Sequence, residues 1–405
     1  MDSDIMKQLA KSGLLPQEEM LEVRTRDSKL YIGIPKETAY QEKRVALAPE
    51  SVGLLVNNGH RVVVESKAGD QASFNDKDYS EAGAEIVYDT KEVYDADIII
   101  KVAPPTLGEI ELFDAQKKQL LISSLQLNIQ PRDFLHKLIE KRITAIAYDY
   151  IQDQEGIYPI IRSMSEIAGT TSILIAAEYL SNTNKGQGVM LGGIAGVKPS
   201  EVVIIGAGGV GEFATRAALG LGASVKIFDD QIYKLRRLSN DVGQRLFTSI
   251  IQPKVLAKAL KNADVVIGAL RPSGGFCPCV VTEDMVSAMK FGSVIVDVSI
   301  DHGGCIETSE VTSHDNPIFK KYGVTHYCVP NIASRVSKTA SYALSNVFTP
   351  ILLEMGRIGG LEKMSRTNLG IRHGIYVYRG CLTNRILADT FNLPCKDIDL
   401  LMGGF

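Results

Sequence analysis

The stretch Val202-Val203-Ile204-Ile205-Gly206-Ala207-Gly208-Gly209-Val210-Gly211 constrains this chain more than any other. An apolar strand runs into the spacing G-x-G-x-x-G, and a helix is expected from Glu212 to Leu221. Glycine at 206 permits a tight turn, and at 208 it lets backbone approach a pyrophosphate. At 211 it lets helix and strand pack closely, and Gly209 lies in the same loop. Unpaired N–H groups at the helix start direct partial positive charge at the phosphates. The next strand, Ser224 to Phe228, leads into Asp229-Asp230. A carboxylate there accepts hydrogen bonds from the adenosine ribose and repels a 2′-phosphate, which favours NAD over NADP. Lys234, Arg236 and Arg237 follow as the solvated edge of that site and leave some tolerance of the phosphate open.

Strand–helix alternation extends over most of the chain. Before the fingerprint, the short runs YIGI, RVVVE, ADIIIKV, LLISSL and ITAIAY are separated by helical segments. SVKIFDD, ADVVIGAL, SVIVDVS and VTHYCV come after it. A long helix is expected from Met164 to Leu180, and beyond Pro330 strands give way to helices, starting with Lys338 to Gly356. The fold class is α/β: two Rossmann-like, doubly wound lobes with a cleft between them, the first completed by C-terminal helices. The expected division is an N-terminal arm at 1–28, with a short helix around Asp4 to Ser12. A substrate domain takes 29–163 and 338–405, and a dinucleotide-binding domain takes 164–337. A ligand belongs in the cleft between the lobes.

Charge and cysteine usage narrow the function. Across 405 residues, 44 Lys+Arg against 47 Asp+Glu leave −3, which gives no electrostatic footprint for nucleic acid or an anionic membrane. No apolar run approaches the roughly 18–20 residues of a membrane span, and the first residues carry acids instead of a secretory core. Cys277 and Cys279 form C-x-C with no His-x-x-x-His partner, so the cysteines read as reduced thiols. No metal site is expected, and the expected compartment is the cytoplasm.

Further stretches carry a resemblance to a known family: IGIPKE at 32–37, EKRVALAP at 42–49, IIIKV at 98–102, MSEIAG at 164–169 and GVMLGG at 188–193. VIVDVSIDHGGCIETSE at 294–310 and THYCVPNIASRVSKTASYALSN at 325–346 complete the set. From about Tyr31 to Leu393 the chain resembles alanine dehydrogenase, whose fold is shared by the soluble NAD-binding component of proton-translocating transhydrogenase. The resemblance implies oxidation of L-alanine by NAD to an imine, which water converts to pyruvate and ammonia, or the reverse reductive amination. It implies a small amino-acid or 2-oxo-acid substrate and a homo-oligomer, hexamer or dimer. Arg44 corresponds to the arginine that grips the substrate carboxylate, a role suited to a planar guanidinium. Asp301 corresponds to the acidic residue beside nicotinamide and substrate, and Lys101 to a lysine the family also carries, at the substrate. Asp229 and Lys234 correspond to adenosine-side contacts, Ser165 to a cofactor contact in the M-S-E turn, and Asn331 to the asparagine under the nicotinamide.

Two departures fall at the chemistry. Where the family reads K-V-K-E-P, this chain has Lys101-Val102-Ala103-Pro104-Pro105, so Ala103 replaces the lysine that orients the pyruvate carbonyl. Where the family reads L-H-L, the run is Leu125-Gln126-Leu127, and Gln126 cannot exchange a proton near neutral pH. A positioned acid or base contributes about 10²–10⁴ in rate, so losing both should cripple ordinary alanine oxidation unless another group substitutes. Asp301 is the first candidate, followed by Lys101, Tyr148, Asp149 and Arg162. His302 reads as a relay or a structural loop residue, His314 and His326 as packing residues, and His60 as a solvent-facing turn. Arg162 and Arg335 read as grips for a second carboxylate or as surface charges. Two alternatives to an active dehydrogenase stay open: a non-enzymatic NAD(H)-binding protein, and a soluble transhydrogenase-type component. The segment Gly156–Arg162 lacks the transhydrogenase loop's glutamine and aspartate, which places the chain nearer the dehydrogenase branch.

Overall fold

The computed structural model describes residues 28–126, 130–272 and 276–402. The expected arm and its helix therefore lie outside the described residues, except Ser28, whose N–H donates to the Gly356 carbonyl at 3.0 Å. Among the described residues, fifteen strands form two sheets. The first contains β1 (Tyr31–Ile34), β2 (Arg61–Glu65), β3 (Glu85–Val87), β4 (Ile98–Ile100), β5 (Leu120–Ser123) and β6 (Thr144–Ala147). It is completed by β14 (Ile375–Tyr378) and β15 (Cys381–Leu382), in the order β15-β14-β6-β5-β4-β1-β2-β3. The second contains β7 (Glu201–Ile205), β8 (Ser224–Asp229), β9 (Phe247–Ile250), β10 (Val265–Gly268), β11 (Val294–Asp297), β12 (Ile318–Lys321) and β13 (Val324–Tyr327). Its order is β12-β13-β11-β10-β7-β8-β9.

Within each lobe six parallel strands follow the doubly wound order 3-2-1-4-5-6. The central strands are buried along all or nearly all of their length, which explains their runs of Val and Ile. Antiparallel pairing occurs only at the edges among the described strands: β12 on β13, β14 on β6, and β15 on β14.

Several expectations need correction. Strands do not stop after Pro330, because β14 and β15 return to close the open edge of the first sheet beside β6. The C-terminal region thus completes the first lobe with strands as well as helices. The long helix starts at Pro159, not Met164, because proline at the first helical position needs no hydrogen-bonded N–H. It runs to Leu180, so Ser165 lies in a helix and not in a turn. His60 is buried instead of solvent-facing: its Nδ1 accepts the Leu30 N–H at 3.3 Å, and its ring lies against Gly356 of the helix Ser337–Ile358.

The fingerprint helix, Gly209–Gly220, packs on the helix Pro159–Leu180 at Gly169. A Cβ there would press on the Val210 carbonyl and the Ala214 N–H, so only glycine allows this approach. The carboxyl ends of both sheets face one cleft. Across it Lys43 N–H donates to Ser334 Oγ at 2.8 Å, Ser334 Oγ donates to the Gln41 carbonyl at 2.8 Å, and His314 N–H donates to Gln41 Oε1 at 3.1 Å.

Candidate active site

The dinucleotide end of the cleft is built by the glycine turn. Gly206 has φ +114°, a conformation that L side chains rarely adopt, and a Cβ on Gly211 would collide with the Gly206 carbonyl. Above Gly208 there is open space, and Gly209 faces the side chain of Ser165. Asp229, buried at the end of β8, takes the Ala207 N–H on Oδ2 at 2.7 Å and the Gln231 N–H on Oδ1 at 2.8 Å. It braces the turn, and each oxygen retains capacity for a further donor. Arg237 is more than a solvated charge, since its Nη2 donates to the Ala207 carbonyl at 3.2 Å. Lys234 lies half-buried on the helix Ile232–Val242, beside this edge. An open backbone approach, a helix N-terminus and a carboxylate at the second strand together fit a dinucleotide.

At the other end a chain of polar contacts links the lobes. Arg44 lies in the loop after β1 and forms a two-pronged pair with Glu42, Nε to Oε1 at 2.8 Å and Nη2 to Oε2 at 2.6 Å. Their side chains are 11% and 4% exposed. Glu42 Oε2 also accepts Asn331 Nδ2 at 3.0 Å, and the Asn331 N–H donates to Asp301 Oδ1 at 2.9 Å. Asn331 has φ +55°, which asparagine tolerates better than most residues. Arg44, Asn331 and Asp301 are thus brought together, with Glu42 as the connecting member that sequence reasoning missed. Its signal was available in E-K-R, a carboxylate two residues before the arginine. The remaining edge of the guanidinium is only lightly used, with Nη1 3.3 Å from the Met164 sulfur. A small hollow opens here, bounded by Glu37, Glu42, Lys43 and Gln71. A roomier hollow walled by Phe74, Tyr342 and Glu50 lies away from these groups.

Lys101 is the candidate that the structure does not bring to the cleft surface. It has no exposed area, and its ammonium lies 2.7 Å from Glu109 Oε1 and 3.5 Å from Glu37 Oε2. Glu37 in turn accepts the N–H groups of Val102 at 2.6 Å and Ala103 at 3.3 Å, so this buried triad sets the path of the loop after β4. Burial pushes the Glu37 carboxyl up to about 7, and the Glu42 charge adds to the rise, against the pull of Lys101 and of the two N–H groups. Ala103 itself is buried and Gln126 is exposed at φ +45°.

The remaining titratable groups differ in their environments. Asp301 reaches solvent within the cleft. Desolvation there raises its pKa, and the Asn331 N–H, His302 and Arg44 offset this only in part. Desolvation and the Arg271 charge lower His302, while Asp301 pulls it up. Burial also raises Asp149, against a 2.6 Å hydrogen bond from Ser124 Oγ and the charges of Arg44 and Arg271. Burial opposes the Glu42 carboxylate too, yet the charge and hydrogen bonds of Arg44, with Asn331, hold its pKa below the usual range. Asp297, at the end of β11, holds the Ser299 and Cys305 N–H groups and the Ser309 hydroxyl, which shapes the turn presenting Asp301. Tyr148 is buried, its hydroxyl donating to the Val102 carbonyl at 2.8 Å. Arg162 is 4.0 Å from Glu212, and Arg335 pairs with Glu178 at 2.7 Å. His326 is buried against Thr308 and Phe319.

Comparison with known proteins agrees with this arrangement. The family model described as alanine dehydrogenase/PNT, N-terminal domain, matches residues 33–168, and its C-terminal counterpart matches residues 172–385. Alanine dehydrogenase of Methanococcus maripaludis is 41% identical over 367 residues, spanning 90% of this chain and 97% of the relative. Alanine dehydrogenase 2 of Staphylococcus aureus is 39% identical over 370 residues, 91% and 98% of the two chains. A solved L-alanine dehydrogenase superposes with a TM-score of 0.83 at 38% identity, covering 89% of this chain and 99% of its own. A transhydrogenase structure from Sinorhizobium meliloti shares the fold, with a TM-score of 0.74 at 24% identity over 88% and 99% of the chains. The doubly wound pair of lobes, the glycine turn and these relatives converge, and the chain belongs to the alanine dehydrogenase/PNT family.

Proposed function

We propose that this chain is a cytoplasmic, NAD-dependent amino-acid oxidoreductase of the alanine dehydrogenase type. The reaction is L-alanine + NAD⁺ + water to pyruvate + ammonium + NADH + H⁺, and its reverse. The observation that carries this reading is the run Arg44–Glu42–Asn331–Asp301, which crosses the cleft from the first lobe to the second. Gly206, Gly208, Gly209 and Gly211 would admit the dinucleotide, with Ser165, Asp229 and Lys234 along it and Asn331 at its nicotinamide end. Bound NAD supplies the hydride acceptor.

Glu42 holds Arg44 rigid from one side, which leaves the Nη1 edge for a substrate carboxylate in place of a weak thioether contact. Asp301, with its raised pKa and fixed Oδ1, is the group that takes and returns the proton. Lys101 acts from beneath by bracing the Ala103 loop. A homo-oligomer, hexamer or dimer, is supported by the exposed apolar side chains of Met190, Ile194 and Val197 beside Leu221.

The test is NADH oxidation by the purified protein with pyruvate and ammonium, against controls lacking each. Turnover that requires both supports the reading. Ala103 and Gln126 favour one second reading, an NAD(H)-binding protein without turnover. NADH binding without oxidation in the same sample would select it.

A further inference from the structure

The two lobes share one strand order, so positions in one have topological counterparts in the other. Ala103 is the third residue beyond β4, the fourth strand of the first lobe's doubly wound order. Arg271 is the third residue beyond β10, the fourth strand of the second lobe's order. The carboxyl ends beside the first strand are where open α/β sheets place ligands, so both residues border the same cleft. At the position where the first lobe offers a methyl group, the second offers a guanidinium.

The chain on either side of Arg271 is anchored. Ahead of it, the Ala269 carbonyl lies against Gly206 of the glycine turn. Behind it, the Cys277 N–H donates to the His302 carbonyl at 2.8 Å and the Phe276 ring lies against Gly303. Arg271 therefore lies in sequence between a contact with the dinucleotide turn and a contact with the turn that carries Asp301. Its charge reaches across the cleft to Asp149 and Tyr150 of the first lobe, and to His302 of its own. Asp149 feels Arg44 as well, so both guanidinium charges act on one carboxyl. That carboxyl is already hydrogen-bonded to Ser124, and burial weakens it as a counter-ion. Arg271 is exposed and forms no ion pair within 4.0 Å among the described residues. Arg162 and Arg335, the arginines first weighed for such a role, are near Glu212 and Glu178 respectively.

We propose that Arg271 is a second carboxylate subsite, and that the cleft takes a 2-amino or 2-oxo dicarboxylic acid with one carboxylate on Arg44 and the other on Arg271. The proposal rests on the reading that this cleft binds an amino or oxo acid, and it extends that reading to substrate class. Guanidinium forks at both ends of a short diacid recognise it bidentately. Ala103 and Gln126 bring no cationic side chain at those two positions.

The experiment measures binding apart from turnover. Succinate and butyrate, equal in length and differing by one carboxylate, are titrated calorimetrically into the NAD⁺-loaded protein and into Arg271→Gln and Arg271→Lys variants. Succinate should bind at least about tenfold more tightly than butyrate to the wild type. That advantage should vanish in Arg271→Gln and shrink in Arg271→Lys, with a cooperative thermal transition showing that both variants fold. Equal affinities in the wild type, or a succinate preference that survives in Arg271→Gln, would overturn the subsite. NADH oxidation with ammonium and pyruvate, oxaloacetate or 2-oxoglutarate then separates the two claims. An Arg271-dependent succinate preference without turnover on any oxo acid keeps the subsite and rejects the oxidoreductase reading. Turnover on pyruvate without any succinate preference does the reverse.

Discussion

Arg44 and Glu42 are nearly dry, and at that depth an ion pair is worth most when it is broken. Arg44→Met should therefore cost stability as well as substrate affinity, about 3 kcal/mol in urea denaturation, because Glu42 is left charged and unpaired. Adding Glu42→Gln to the same chain should recover part of that loss but none of the activity. Glu37 makes a separate prediction about pH. Its folded pKa of about 7 lies above the unfolded value, so the proton is held more tightly in the folded state. The stability this brings is complete below the unfolded pKa and declines as pH rises through about 7. Wild type should lose on the order of 2 kcal/mol relative to Glu37→Gln between pH 5.5 and 8, read from paired urea melts. A third test restores what the family carries: Ala103→Lys with Gln126→His should raise alanine turnover at least tenfold, measured as NAD⁺ reduction. The histidine is compatible with the φ of +45° at 126, a region in which histidine is enriched. Arg44, Asp301 and Asn331 were legible because the motifs around them are dense. Glu37 and Glu109 were not, because nothing in their own neighbourhood announces that the fold will bury Lys101 between them.

Strands followed the same logic at the scale of elements. Central strands such as VVII and VVIG are apolar on both faces and read directly. Those the sequence reading passed over are edge pieces: β3 is short, β9 mostly exposed, and β12 half polar. β14 is different, with IYVY fully buried, yet it follows a long helical stretch and pairs with a strand more than two hundred residues earlier. Local pattern carries no information about so distant a partner. The contact at Gly169 makes a prediction of this size. Gly169→Val should push the fingerprint helix away, lower stability by about 1–3 kcal/mol and weaken NADH binding in a fluorescence titration. Both effects should appear together, since one helix carries the packing face and the glycine turn.

For the molecule as a whole, polar contacts tie the lobes across the cleft, Lys43–Ser334, Gln41–His314 and Glu42–Asn331 among them. Away from it, the short hairpin at Ile194 and Val197 adjoins Leu221 through Gly192, leaving an apolar surface on the second lobe. Met190→Glu with Ile194→Glu should dissociate the proposed homo-oligomer, seen by light scattering as a drop in mass without loss of NADH binding. The return of β14 to β6 also dictates an order of events during synthesis. The second lobe emerges from the ribosome whole and can fold as soon as it is out. The first lobe must wait with the β6 edge unpaired until the residues near 382 have been made. A chain halted before Ile375 therefore carries one finished lobe and one bare sheet edge, a template for joining another nascent copy.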